Sequence, residues 1–171
     1  MLDHLKARGM NPYLYMGAST DGKTVTFPLY NFGGKRTGYM RYRPEGSKEK
    51  NNAANGRYFT YITPGEVGVF GLESLENPGP IFLTGGMFKA ATLHRLGYAA
   101  LHVSSVSPRD LRPQLRLLNR PYFAIGDNDA EGAQFARRWG GWQSPVDVDE
   151  MEDGCVRAMI TVELANRGVY G

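Results

Sequence analysis

The sequence predicts an α/β protein with an α+β N-terminal lobe, in which a small β-rich, basic segment precedes a mostly parallel sheet flanked by helices. Three observations carry this expectation. After Pro80, short apolar runs alternate with helical patterns, the signature of repeated β-α units and of a parallel sheet with helices on both faces. Before Glu76, aromatic and β-branched runs are separated by glycine-containing turns, as in antiparallel hairpins. A length of 171 residues suits one domain, or one domain with a small appended lobe. The boundary is expected at Glu76-Asn-Pro-Gly-Pro80, dividing the chain into a basic lobe, 1–76, and an α/β domain, 80–171.

Element by element, Met1 to Gly9 reads as a helix closed by its glycine. Val25–Tyr30 and Thr37–Arg43 read as strands of a hairpin turned by Asn31-Phe-Gly-Gly-Lys-Arg36. The two-residue period puts Tyr39, Arg41 and Arg43 on one face and Met40 and Tyr42 on the other, so one face is basic and aromatic. Ser47–Gly56 is polar and reads as a loop, Arg57–Ile62 returns to extended structure, and Val67–Leu72 is a further short element. Ile81–Leu83 is a buried-type strand, and Thr84-Gly85-Gly86 turns it into a helix from Met87 to Leu96, ended by Gly97. Ala99–Val103 is the next strand and Arg109–Leu118 the next helix, with Pro113 limiting its regularity. Tyr122–Ile125 is the third strand of this series and Ala130–Trp139 its helix; Val146–Asp149 is expected to be extended, and Glu150–Asn166 a closing helix. Trp139 and Trp142, around Gly140-Gly141, read as packing residues.

Composition narrows the chemistry. The single Cys155 rules out an internal disulfide framework and a cysteine-rich zinc ribbon. His4, His94 and His102 fall in different elements without metal-ligand spacing, and no nucleophile elbow supports a Ser-His-Asp triad. The first residues are too polar for a signal peptide and no apolar run reaches membrane-spanning length, so a cytoplasmic protein without a membrane partner is expected. Net charge is only +3, but it is segregated. Lys23, Lys35, Arg36, Arg41, Arg43, Lys48, Lys50 and Arg57 face only Glu45 and Glu49 in one stretch. Asp147, Asp149, Glu150, Glu152 and Asp153 stand together in another. That division suits a polyanion held by cations and a metal held by carboxylates, or a chance segregation of surface charge.

The most informative stretch is Phe123-Ala-Ile-Gly-Asp127-Asn-Asp129-Ala-Glu131-Gly132. It delivers two carboxylates beyond the carboxyl end of a strand, where open α/β sheets place their ligands. Asp127 and Asp129 could share one Mg²⁺ or Mn²⁺ with water or phosphate completing the octahedron. Alternatively, Asp-Asn-Asp simply caps the following helix. Gly85-Gly86 at a helix start can bring backbone N–H groups to a phosphate, or can be a tight turn. Lys89, one turn on, could reach the same phosphate as a point charge, though an exposed helix lysine is the reading preferred from sequence. Lys35, Arg36, Arg41 and Arg43 are the candidates for template or nucleotide phosphates; Tyr39 and Tyr42 could stack bases or pack the strand.

Taken in order, these segments resemble the Toprim-bearing catalytic core of bacterial and phage DNA primases, over roughly Val25 to Gly154. Phe27-Pro-Leu-Tyr-Asn-Phe-Gly-Gly-Lys-Arg-Thr-Gly38-Tyr-Met-Arg-Tyr-Arg43 is similar to that family's mixed-strand lobe, Val69-Phe-Gly-Leu72 to its linking element, and Asp127-Asn-Asp129-Ala-Glu-Gly132 to its paired-aspartate motif. Val146-Asp-Val-Asp149-Glu stands where a third acidic stretch follows, and Arg57-Tyr58 resembles the basic-aromatic element after the long loop. The first Toprim motif departs: Thr84 stands where its glutamate belongs and Lys89 where its aspartate is expected, so the motif is degenerate. Thr84 cannot take a proton near neutral pH, and Lys89 inverts a charge beside the expected metal.

The resemblance implies a Toprim-like fold and a DNA-replication protein, encoded by a phage or other mobile element given its compact form, and acting in the host cytoplasm if a phage encodes it. It implies single-stranded DNA or nucleotide at Lys35, Arg36, Arg41, Arg43 and Arg57 of the basic lobe and at Lys89 of the α/β domain, and phosphate on the Gly85-Gly86 backbone. It further implies Mg²⁺ or Mn²⁺ at Asp127, Asp129 and Asp149, with Asp147 or Asp149 assisting, and RNA primers made from nucleoside triphosphates by metal-dependent nucleotidyl transfer. A separate zinc-binding template reader and a replicative helicase are the implied partners. Two other readings stand beside it: an inactive Toprim-fold module that binds nucleic acid or the replisome, and a metal-dependent nuclease.

Overall fold

The computed structural model describes residues 1–49, 52–103 and 111–169. Lys50 of the basic stretch, and Arg109 and Asp110 at the start of the expected third helix, lie outside the described residues. The elements, in chain order, are α1 (Leu2–Ala7), β1 (Ser19–Thr20), β2 (Val25–Tyr30), β3 (Arg36–Tyr42), β4 (Tyr58–Ile62), β5 (Val69–Phe70), β6 (Ile81–Thr84), α2 (Met87–Arg95), β7 (Ala99–Val103), α3 (Arg112–Leu117), β8 (Tyr122–Gly126), α4 (Ala130–Trp139), β9 (Trp142–Gln143) and α5 (Asp153–Asn166).

The nine strands among the described residues form one sheet, in the order β4-β3-β2-β5-β7-β6-β8-β9, with β1 on the side of β2. The half built from β1 to β5 is antiparallel, and β5 joins it to β7 through Val69–Val103 and Phe70–His102. From β7 to β9 every pairing is parallel. The expected hairpin is present, with Asn31 Oδ1 accepting from the Gly33 and Lys35 amides, both at 3.0 Å, to tighten its turn.

Period-two alternation divides the core between the two faces of the sheet. Phe82, Ala100 and Ile125 pack with Leu5 of α1, Leu93 of α2 and Ile160 of α5. Ile81, Leu83, Leu101 and Ala124 pack on the other face with Leu115 of α3 and Trp139 of α4. Burial of apolar surface on both faces is what makes β6, β7 and β8 read as continuous apolar runs rather than alternating ones. Gly9 and Gly97 follow their helices with φ of +70° and +83°, the left-handed stop expected of each. No helix among the described residues is long and apolar enough to cross a membrane.

Two expectations need correction. Val146–Asp149 is not extended: Val148–Glu150 is a single 3₁₀ turn, and the strand of this region is Trp142–Gln143. The reason is packing at Gly141, where a Cβ would sit 1.8 Å from Ala124 O, so only glycine lets the chain run close enough to β8 for the next two residues to pair. The closing helix begins at Asp153 instead of Glu150, because the 3₁₀ turn and an extended Glu152 use the residues before it.

Candidate functional site

β6 is followed through α2 by β7 on one side, while β8 pairs on its other side, so the carboxyl ends of β6 and β8 flank a topological switch point. Open α/β sheets bind ligands at such a crevice. Here the crevice opens into a cleft of about 480 Å³, bounded on one side by the β3–β4 strands and on the other by the start of α2 and by Asp147 and Asp149.

The two acidic segments are stitched together by backbone acceptors. Gln143 Nε2 donates to Asp127 O and Asp129 O, each at 2.8 Å; Asn128 Nδ2 donates to Pro145 O at 2.8 Å; and Ser144 N donates to Gly126 O at 2.9 Å. These bonds bring Asp147, far along the chain, beside Asp127. Asp129 does not join them: its Oδ1 accepts from Gly132 N at 2.6 Å and caps α4.

Lys89 is the residue that departs most from expectation. It is buried, not an exposed helix lysine, and its Nζ forms an ion pair with Asp127 Oδ1 and lies 3.3 Å from Asp147 Oδ2. Burial alone lowers its pKa, but the bond to Asp127 and the charges of Asp127, Asp147 and Asp149 prevail and raise it, so Lys89 is a fixed cation. Asp149 is paired with Arg8 at 2.6 Å. Arg8 also lies over the Phe88 ring at 3.7 Å and donates to Tyr58 Oη at 3.2 Å. Sequence reasoning missed Arg8; its only signal is a basic residue beside the helix-ending Gly9.

Thr84 is fully buried, and its hydroxyl donates to Gly86 O at 2.9 Å. Gly85 and Gly86 line the cleft at the start of α2, and a Cβ on Gly85 would meet nothing within 4 Å. His102, on β7, is enclosed behind Thr84, with its Nδ1 donating to Thr84 O at 3.2 Å. Burial pushes its pKa down to about 4, the bond to Thr84 opposing and the Lys89 charge adding to the drop. An unfolded chain binds this proton near pH 6.5 and the folded one does not, so stability is full above about 6.5 and falls as pH drops toward 4. The expected loss over that window is on the order of 3 kcal/mol. Urea unfolding across it should show a slope that His102→Asn flattens.

The basic candidates lie elsewhere. Cross-strand register places Tyr39, Arg41, Phe59 and Tyr61 on one face of β3–β4, opposite the face on which Tyr42 packs against Tyr58 and Phe88. The Arg41 guanidinium lies over Tyr39 and Phe59, 5.3 and 4.9 Å from the ring centres, and Tyr61 is 44% exposed. Arg41 and Arg43 each donate to Ala53 O, at 3.3 and 3.4 Å, and so tie Ala53 to the end of β3. The Nε groups of Arg41 and Arg57 are buried without a hydrogen-bond partner among the described residues. Lys35 is paired with Glu66 at 2.7 Å, and Arg36 is exposed on β3.

No known family profile matches the sequence, and no curated protein matches it either. Solved structures do. The Escherichia coli primase catalytic core superposes with a TM-score of 0.59 at 17% identity, over 95% of this chain and 62% of that one. The RNA polymerase domain of Mycobacterium tuberculosis primase DnaG, solved with double-stranded DNA, gives 0.60 at 15% identity over 98% and 64%. The zinc-binding and RNA polymerase domains of Aquifex aeolicus primase give 0.64 at 13% over 96% and 55%. The fold is that of a primase catalytic core. The chain spans about three fifths of the length of the primase structures it matches.

Within this primase fold, the donors as arranged do not fit a divalent cation. Lys89 already engages Asp127 and Asp147, Arg8 engages Asp149, and Asp129 serves as a helix cap. Among the described residues, no group of three or more His, Cys, Asp or Glu side chains converges to hold a metal ion.

Proposed function

We propose that this chain is a primase-fold replication protein that binds single-stranded DNA. The observation that carries the proposal is the ladder of Tyr39, Arg41, Phe59 and Tyr61 on β3–β4, set beside the switch-point cleft. Alternating arginine and aromatic groups supply phosphate attraction and stacking surfaces at once, which is how single strands are held without sequence readout. One of the similar structures is a DnaG primase catalytic domain bound to single-stranded DNA. Arg36 and Arg43 extend the same basic lobe, residues 1–76.

The test is fluorescence anisotropy with a labelled oligonucleotide across a salt series. Arg41→Ala is expected to weaken binding roughly tenfold and to flatten the salt slope by about 0.7, the loss of one single-strand phosphate contact. Tyr61→Ala is expected to weaken it by about 1–3 kcal/mol with the slope unchanged. Absence of binding by the parent chain at low salt would remove the proposal.

A second reading, synthesis of RNA primers from nucleoside triphosphates, is favoured by Asp147 and the Gly85-Gly86 backbone lining one cleft, with Asp127 joined to Asp147 through Lys89. Primer synthesis on single-stranded DNA, with the parent chain and Asp127→Ala/Asp129→Ala side by side, separates the two readings. Product from the parent alone establishes synthesis; retained DNA without product leaves a binding module. A helicase and a zinc-binding protein would be partners of the synthetic reading.

A further inference from the structure

Asp127 and Asp147 come from two segments of chain to the same ammonium, with the charge of Asp149 also acting on it, and carboxylates brought together in this way favour a cation between them. The demand is met from within. Lys89 extends from the first turn of α2, its side chain only 10% exposed, and engages Asp127 and Asp147 together. Its stem lies along the α2 start, Cδ standing 3.6 Å from where a Cβ on Gly86 would be. Arg8 closes on Asp149 from the end of α1. An ion bridging Asp127 and Asp147 would have to occupy the space that the Lys89 Nζ fills.

We infer that the Lys89 ammonium is the resident cation of this carboxylate group, standing where a divalent metal would otherwise be required, so that the cleft is complete without Mg²⁺ or Mn²⁺. Electrostatically, one fixed point charge on a tethered stem replaces an exchangeable one. The inference does not rest on DNA binding, and none of the residues assigned to the DNA ladder enters it.

The experiment is Mn²⁺ binding to the full chain, read from the EPR signal of free Mn²⁺, together with thermal unfolding in EDTA and in millimolar MnCl₂. The parent chain is expected to leave the Mn²⁺ signal undiminished and to unfold at the same temperature in both solutions. Lys89→Met, which vacates the position while keeping an unbranched stem, is expected to gain roughly one Mn²⁺ per chain and a metal-dependent rise in unfolding temperature. Adding Asp127→Asn to Lys89→Met should abolish both gains. Mn²⁺ binding by the parent that Asp127→Asn removes would overturn the inference, as would a folded Lys89→Met that binds no Mn²⁺. Should Lys89→Met not fold, the parent and Asp127→Asn decide the matter: equal indifference to Mn²⁺ upholds the inference, and a difference between them overturns it.

Discussion

Replacing Gly132 with alanine is expected to lower stability by about 3 kcal/mol, near the upper end of what overpacking a core costs. A Cβ there would stand 2.2 Å from both Asp127 N and Asp127 O, and 2.7 Å from the carbonyl carbon between them. Every opposing atom is backbone, so no rotamer change relieves the clash. Gly126 makes the reciprocal demand, since a Cβ on it would lie 2.0 Å from Gly132 O. The two glycines let α4 lie directly against the end of β8, and Asp127 takes its position from that contact. Alanine's better helix propensity, worth about 1 kcal/mol, acts in the opposite direction and is outweighed. Gly154→Ala is the matched control: it sits in α5 with nothing within 4 Å of its Cβ, and it should stabilise by about 0.5–1 kcal/mol. Urea unfolding of the two variants should therefore give opposite signs.

Asp127→Ala is expected to destabilise by about 2 kcal/mol, between the values for exposed and fully buried ion pairs because the carboxylate is 32% exposed and Asp147 stays near the ammonium. The loss comes from the largely buried Lys89 charge left half-compensated. Lys89→Met in the Asp127→Ala background should recover most of it, so the two substitutions are expected to be strongly non-additive in a double-mutant cycle. Additive losses would show that the pair contributes nothing as a unit.

Local chemistry made most of the architecture legible. The β2 strand, the α4 helix and the β2–β3 hairpin follow from β-branched runs, capping residues and the Asn31-Phe-Gly-Gly34 turn, all signals contained in a few neighbouring residues. The site was harder to read because its decisive contacts join distant segments. Helix spacing could place Lys89 one turn after Gly86, but nothing local shows that the face it occupies looks onto Asp127 and Asp147. Arg8 meets Asp149 only because α1 and the 148–150 turn are brought together in the folded chain. Asp129 shows the converse: its role as a cap depends on Gly132 three residues away, and one of the two alternatives offered by the sequence already contained it. The β9 strand escaped notice because two residues carry no period, and its cause is the missing side chain of Gly141.

Synthesis from N-terminus to C-terminus gives the single sheet a consequence in time. The β2–β3 hairpin is complete once Tyr42 has been made, yet Tyr42 packs on Phe88 and Phe70 on His94. Strand β5 finds its second neighbour only when β7 has emerged from the ribosome, and Arg8 waits for Asp149, made 141 residues later. A nascent chain therefore carries an apolar hairpin face uncovered until α2 has been made, and a ribosome stalled before then would hold it in that sticky, chaperone-accessible state.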